Sequence, residues 1–295
     1  VALFPNTYQI SFLYRPYGTR VALLHRGGIM NTPILFLHGF PFNGSLWKPQ
    51  IDYFQDKRIV FAPDLRGHGS GPKGNTPWMI LDFVDDLHEL LTKAKIEKVI
   101  LCGHSMGGYI ALEFIHKYPE MIESLVLVGS RADADTNDVK DQRFNTLEKI
   151  RNEGLDKFAD DFSKLVLSDV KSEEKKKLKQ QVYELILSND PNDVMMLIGA
   201  LASRKDNTLT LKEISCPTMV IVGADDKVTS WGINHSVARR ITNCQFAKVS
   251  GAGHLVNIEN PEKFNALVDT FIKYPPTLHK EFSYDYIFDP LALQH

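Results

Sequence analysis

Short runs of branched and aliphatic residues recur along the chain, at Ile34 to Leu37, Ile59 to Ala62, Val99 to Leu101, Leu125 to Val128 and Met219 to Val222. None alternates with polar residues, so each reads as a strand buried on both faces. Longer stretches with helical spacing separate them. Met79 to Thr92, for example, places Ile80, Phe83, Val84, Leu87, Leu90 and Leu91 on one face. Strands alternating with helices imply an α/β fold, a mostly parallel sheet covered on both sides. Upstream, Gln9 to Tyr14 and Thr19 to Leu24 flank Pro16-Tyr17-Gly18. They read as an antiparallel hairpin at one edge, for about eight strands in all.

After Val128 the rhythm changes. Residues 134–211 read as helices alone, with Phe158, Phe162, Leu165 and Val166 apolar in a charged background, and strands resume at Pro217. The expected organisation is a core domain in two parts, 1–133 and 212–273, an inserted helical cap over 134–211, and a C-terminal tail over 274–295. Lys171 to Lys179 is densely charged, which a solvated helix face explains more simply than a binding patch. The tail opens on Pro275-Pro276 and carries Phe282, Tyr284, Tyr286, Ile287 and Phe288, too aromatic for a pure linker. Packing across the body or a subunit contact suits it, so a homo-oligomer stays open.

A chain of 295 residues can bury a substantial core, and 43% hydrophobic with 24% charged residues is ordinary for a folded protein in water. The formal net charge of −2 gives no electrostatic reason to expect nucleic acid as a partner. Cys102, Cys216 and Cys244 are widely spaced, neither a disulfide framework nor a zinc pattern. No apolar run has the length of a membrane span, and the first residues lack the order of a secretory signal. Together these point to a cytoplasmic protein acting on a small molecule.

Gly103-His104-Ser105-Met106-Gly107 matches G-x-S-x-G, after a strand and before the helical stretch Gly107 to Lys117. A serine on so tight a turn takes strained backbone angles, and Gly103, Gly107 and Gly108 let the chain pass without clashes. The same turn places the Met106 N–H at a helix N-terminus, where it can stabilise a developing negative charge. A serine hydroxyl needs a base to take its proton. Of ten histidines, His254 in Gly251-Ala252-Gly253-His254 has the best setting, directly after the strand Phe246 to Val249. His25, His88, His116, His235, His279 and His295 lie on helices, strands or the tail, and His104 points away from its neighbour. The base needs a carboxylate to fix its tautomer. Asp226 in Gly223-Ala224-Asp225-Asp226 is preferred, with Asp225 a turn cap and Asp133 or Asp135 as alternatives.

With these segments in view, the chain resembles the α/β-hydrolase superfamily, and within it the enol-lactone hydrolase, carboxylesterase and perhydrolase-like group. The resemblance spans about Tyr8 to Ile272 and is carried by Leu37-His38-Gly39-Phe40, Asp64-Leu65-Arg66-Gly67-His68-Gly69, Gly103 to Gly108, Gly223 to Asp226 and Gly251 to His254. It implies the order serine, acid, histidine, with Ser105, Asp226 and His254 as a catalytic triad. It also implies that the backbone N–H of Phe40 joins that of Met106 in an oxyanion hole, and that His38 and His68 are structural. The sequence departs from the family after the acid, where Lys227 and Ser230 replace frequent prolines.

The resemblance further implies hydrolysis of a small ester or lactone through an acyl-enzyme, with no metal and no organic cofactor. The glycines of Gly67 to Gly74 do not spell a phosphate-binding loop. A carbon–carbon bond hydrolase, a cofactor-free perhydrolase and a slowly turning small-ligand receptor share the fold and stand as alternatives. Trp78, Arg131 and Trp231 are candidates for the pocket wall, although packing or surface roles are commoner for such residues.

Overall fold

The computed structural model describes residues 31–74, 77–169 and 171–276. The expected hairpin, and the tail beyond residue 276, lie outside the described residues. Within them the strands are β1 Ile34–Leu37, β2 Val60–Phe61, β3 Val99–His104, β4 Ile122–Val128, β5 Thr218–Gly223 and β6 Cys244–Val249. All five pairings are parallel, in the order β2-β1-β3-β4-β5-β6. The expectation of about eight strands is therefore corrected to six among the described residues. The other two expected strands are those of the hairpin, which falls outside these residues. At the edge, β2 is shorter than its apolar run because only Ile34 and Leu35 of β1 pair with it.

The uninterrupted apolar runs are explained by burial on both faces. Leu35, Leu37 and Leu101 point into one core with α2 (Ile80–Lys93) and α3 (Met106–Lys117). Ile34, Phe36, Ile100 and Cys102 point into the other, against α1 (Lys48–Phe54), α8 (Val256–Glu259) and α9 (Pro261–Lys273). The helix α7 (Trp231–Ala238) follows β5 and adds Val237 and Ala238 to the first core. The expected face of α2 is buried at all six apolar positions, from Ile80 to Leu91.

Between β4 and β5 the described structure is helical: α4 Asn137–Val166, α5 Glu173–Leu187, α6 Pro191–Ala202 and a single 3-10 turn at Leu211–Glu213. α4 is two helical segments broken at Gly154, whose φ of 85° and ψ of 166° suit glycine alone. Hydrogen bonds fasten this insertion to the loops at the carboxyl ends of the strands. Asn189 donates to Pro41 O (2.7 Å) and accepts from Gly69 N (2.9 Å), while Val166 O accepts from His254 N (2.8 Å). The charged run at Lys171 to Lys179 is mostly exposed, as its composition suggests. Lys175 departs from it, turning inward onto the fully buried Glu259 at 2.5 Å.

The chain runs from β1 outward to β2 and then returns to place β3 on the other side of β1. Ligands of open α/β sheets bind in the crevice outside the carboxyl ends of the strands where the order reverses in this way. Leu37 and Gly103 are register partners at that point. The loops that leave them carry Phe40 and Ser105.

Candidate active site

Ser105 directly follows β3 and caps α3 with φ 51° and ψ −112°, a left-handed strain that a non-glycine residue seldom carries. Its neighbours permit the turn. A Cβ on Gly103 would lie 2.3 Å from Gly107 O, and one on Gly107 would lie 2.3 Å from Leu37 O. Ser105 N donates to Val128 O (2.9 Å), and Ser105 O accepts from the Ser130 hydroxyl (2.9 Å), so β4 holds the turn from the side. Met106 is the first residue of α3. Its N–H has no carbonyl behind it within the helix and faces the anion-favouring end of the helix dipole.

His254 and Asp226 meet on the loops after β6 and β5. Asp226 Oδ2 accepts from His254 Nδ1 at 2.8 Å and from the Thr229 hydroxyl at 3.0 Å; Oδ1 accepts from the amides of Val228 and Thr229, both at 2.8 Å. Burial alone would raise the Asp226 carboxyl, but His254 and these amides outweigh it and hold the group below the ordinary carboxylate value. An ionised carboxylate only accepts, so the proton of neutral His254 sits on Nδ1 and Nε2 keeps its lone pair. Asp225 is exposed, with its amide on Ala252 O. Asp133 and Asp135 pair with arginines, so neither takes the acid's place.

The serine and the histidine–aspartate pair converge around Gly129, the residue after β4. A Cβ there would lie 3.2 Å from both Asp226 Oδ2 and His254 Nδ1, and Gly129 directly follows the Val128 that holds Ser105. His104 closes the other side, its ring centroid 4.7 Å from that of His254. Its Nε2–H donates to His254 O at 2.9 Å. Burial pushes the His104 imidazole down to about 3, so it remains neutral and fixes the backbone of its partner. Sequence reading set His104 aside, because a bond across 150 residues leaves no local signal. The Val228 and Thr229 amides do leave a local signal, because an aspartate often accepts from the backbone two residues on.

His38 and His68 are buried beneath the site, their ring centroids 4.6 Å apart. His38 accepts from Leu65 N through Nε2 (3.0 Å) and donates from Nδ1 to Gly39 O (3.0 Å), tying the loop after β1 to the loop after β2. Burial lowers His38 to about 4 and His68 well below its ordinary value.

Ser105, Met106 and Phe40 line one cavity of about 350 Å³. Both halves of α4 wall it. Val139, Gln142, Arg143 and Thr146 come from the first, and Phe158, Phe162 and Leu165 from the second. The Phe40 ring lies 6.2 Å from each of Phe158 and Phe162. Arg131 also lines the cavity, whereas Trp78 is core beside Gly67 and Trp231 is exposed beneath Lys248. Among the described residues no cluster of His, Cys, Asp and Glu could hold a metal ion, and no helix is long and apolar enough to cross a membrane.

Known proteins share this architecture. The chain is 27% identical over 240 residues to the 3-oxoadipate enol-lactonase 2 of Acinetobacter baylyi, covering 81% of this chain and 88% of that protein. A thermophilic esterase from Thermogutta terrifontis superposes with a TM-score of 0.81 at 29% identity, covering 86% of this chain and 92% of the other. An enol-lactonase from Burkholderia xenovorans superposes at 0.78 with 23% identity, covering 86% and 95%, a likeness of fold. The family model of the alpha/beta hydrolase fold matches residues 32–261, from two residues before β1 to the first residue of α9. On that match, and on a strained serine at the switch point of a parallel sheet, the chain belongs to the α/β-hydrolase fold family.

Proposed function

We propose that the protein is a serine hydrolase of small carboxylic esters or lactones. The observation that carries this reading is the bonded Asp226–His254 pair beside a serine held at positive φ on the wall of a cavity. Ser105 Oγ attacks the carbonyl carbon while His254 Nε2 takes its proton, and Asp226 steadies the imidazolium. The oxyanion receives the N–H groups of Phe40 and Met106. Losing one such donor typically costs about 3 to 4 kcal/mol of transition-state stabilisation. The C–O bond to the leaving group breaks, and His254 returns the proton to the departing oxygen. Water then repeats the sequence on the acyl-enzyme and releases the acid. The helices between β4 and β5 serve as a cap that shapes the cavity, and no step calls for a metal or cofactor.

A fluorophosphonate probe tests the nucleophile. It should label the wild type at Ser105, and Ser105→Ala should lose both labelling and roughly 10⁴-fold or more of p-nitrophenyl butyrate turnover. Equal turnover in the two proteins would overturn the reading. Binding without turnover in either would favour a receptor.

A further inference from the structure

The cavity wall is uneven in charge. Arg131, Arg143 and Lys227 line it, and no Asp or Glu does. Arg131 engages Asp133 through Nε (3.0 Å) and Nη2. Arg143 engages Asp135 through Nε and Nη2 as well. In both, the bonds to the carboxylate use the Nε side of the guanidinium and leave its outer Nη1–Nη2 edge uncommitted by the pair. Asp135 is wholly buried and shared with Arg204, whose Nη1 lies 2.5 Å away, so one carboxylate faces two guanidinium groups. That cluster carries a surplus positive charge against the pocket. Lys227 is exposed on the acid's own loop and makes no ion pair among the described residues.

The two halves of α4 divide the wall chemically. Phe158 and Phe162 face Phe40 on the apolar side, while Gln142, Arg143 and Thr146 give a polar side with Arg131. A neutral acyl chain needs only the first. Arg131 and Arg143 are each paired, but Asp135 is shared with Arg204, so together with Lys227 this side of the pocket keeps a net positive charge that an ionised carboxylate on the substrate would complement. We infer that the substrate is an ester or lactone bearing a second, ionised carboxylate, held by Arg143 and Arg131 with Lys227 at the entrance. This inference rests on the hydrolase reading above and deepens it.

The test compares esters that differ only in that charge. Mono-4-nitrophenyl glutarate is set against its methyl-capped diester, with spontaneous release subtracted, and 4-acetoxybenzoate against its methyl ester, which places the acid on the leaving group. The acid-bearing member of at least one pair should have about tenfold higher kcat/KM or more. Raising the salt to 1 M should shrink that ratio. Arg143→Gln should lower the ratio about fivefold or more, with Arg143→Lys restoring part of it. Lys227→Gln, on an exposed loop, should lower it too, and supplies the reading if Arg143→Gln does not fold. Ratios near one in both pairs, or a ratio unmoved by either glutamine variant, overturn the inference while leaving the hydrolase intact. If no ester is turned over, the hydrolase reading itself falls. Calorimetry with monomethyl glutarate then decides the anion site: binding weakened at least fivefold by Arg143→Gln supports it, and no binding to the wild type overturns it.

Discussion

A single methyl group at Gly223 would do more harm than its size suggests. A Cβ there would sit 2.0 Å from Gly253 O and 2.3 Å from Ala252 O, backbone atoms of the loop that carries His254. Gly223→Ala therefore has to push that loop away from the end of β5. We expect it to destabilise the fold by about 2 kcal/mol, the usual scale of overpacking, and to lower kcat more than tenfold as His254 shifts from Ser105. Chemical denaturation and steady-state kinetics check both, and unchanged kcat would show that the loop can yield. At this scale the sequence was legible wherever local geometry dictates the residue. Gly103, Gly107 and Gly108 announced the tight turn, and Ser105 has the expected strain. Asp226 could be preferred over Asp225 only by its place after the glycine. The structure separates the two by burial and by the bond to His254.

Among the elements, one buried carboxylate joins the inserted helices to the histidine loop. Glu259, at the end of α8, accepts from Gly253 N (2.7 Å), Ser168 N (2.9 Å), Ser168 Oγ (2.7 Å) and Lys175 Nζ (2.5 Å). Gly253 precedes His254, and Ser168 and Lys175 belong to the insertion, so the same side chain fixes both. Glu259→Gln removes the charge opposite Lys175 and forces an amide N–H₂ toward donors. We expect a loss of about 3 kcal/mol of stability and a fall in kcat that exceeds any change in KM. Lys176→Gln is the contrast. Its partner Glu173 is exposed, so the expected change is within about 0.5 kcal/mol. Equal effects of the two variants would refute a clamp. Sequence periodicity located β1, β3, β4, β5 and α2 closely, because full burial on one or both faces leaves an apolar pattern. It could not disclose the clamp, whose members are 84 and 91 residues apart, nor the break of α4 at Gly154 within a charged helix.

For the molecule as a whole, the three histidines beneath the site set its response to acid. In the unfolded chain each imidazole takes a proton below about pH 6.5. In the fold, burial keeps His38 neutral to about 4 and His104 to about 3, and His68 also titrates well below its ordinary value. Between those limits the unfolded state binds more protons, so stability rises with pH up to about 6.5 and is lost as pH falls toward 4. At pH 5 a histidine with a folded value near 4 costs about 2 kcal/mol relative to pH 7. His38 and His104 together lower Tm by several degrees or more for a chain of this size, and His68 shifts it in the same direction. Asp226 and Asp135, both held below the ordinary carboxylate value, add to the loss only nearer pH 4. Differential scanning calorimetry from pH 7.5 to 4.5 measures this, and a flat Tm across the range would mean that the imidazoles are not buried as neutral groups. His38 and His104 brace the loops bearing Phe40 and His254. Acid unfolding should therefore begin at the edge of the sheet where the proposed site lies, with p-nitrophenyl ester turnover falling at the pH where the calorimetric transition first broadens.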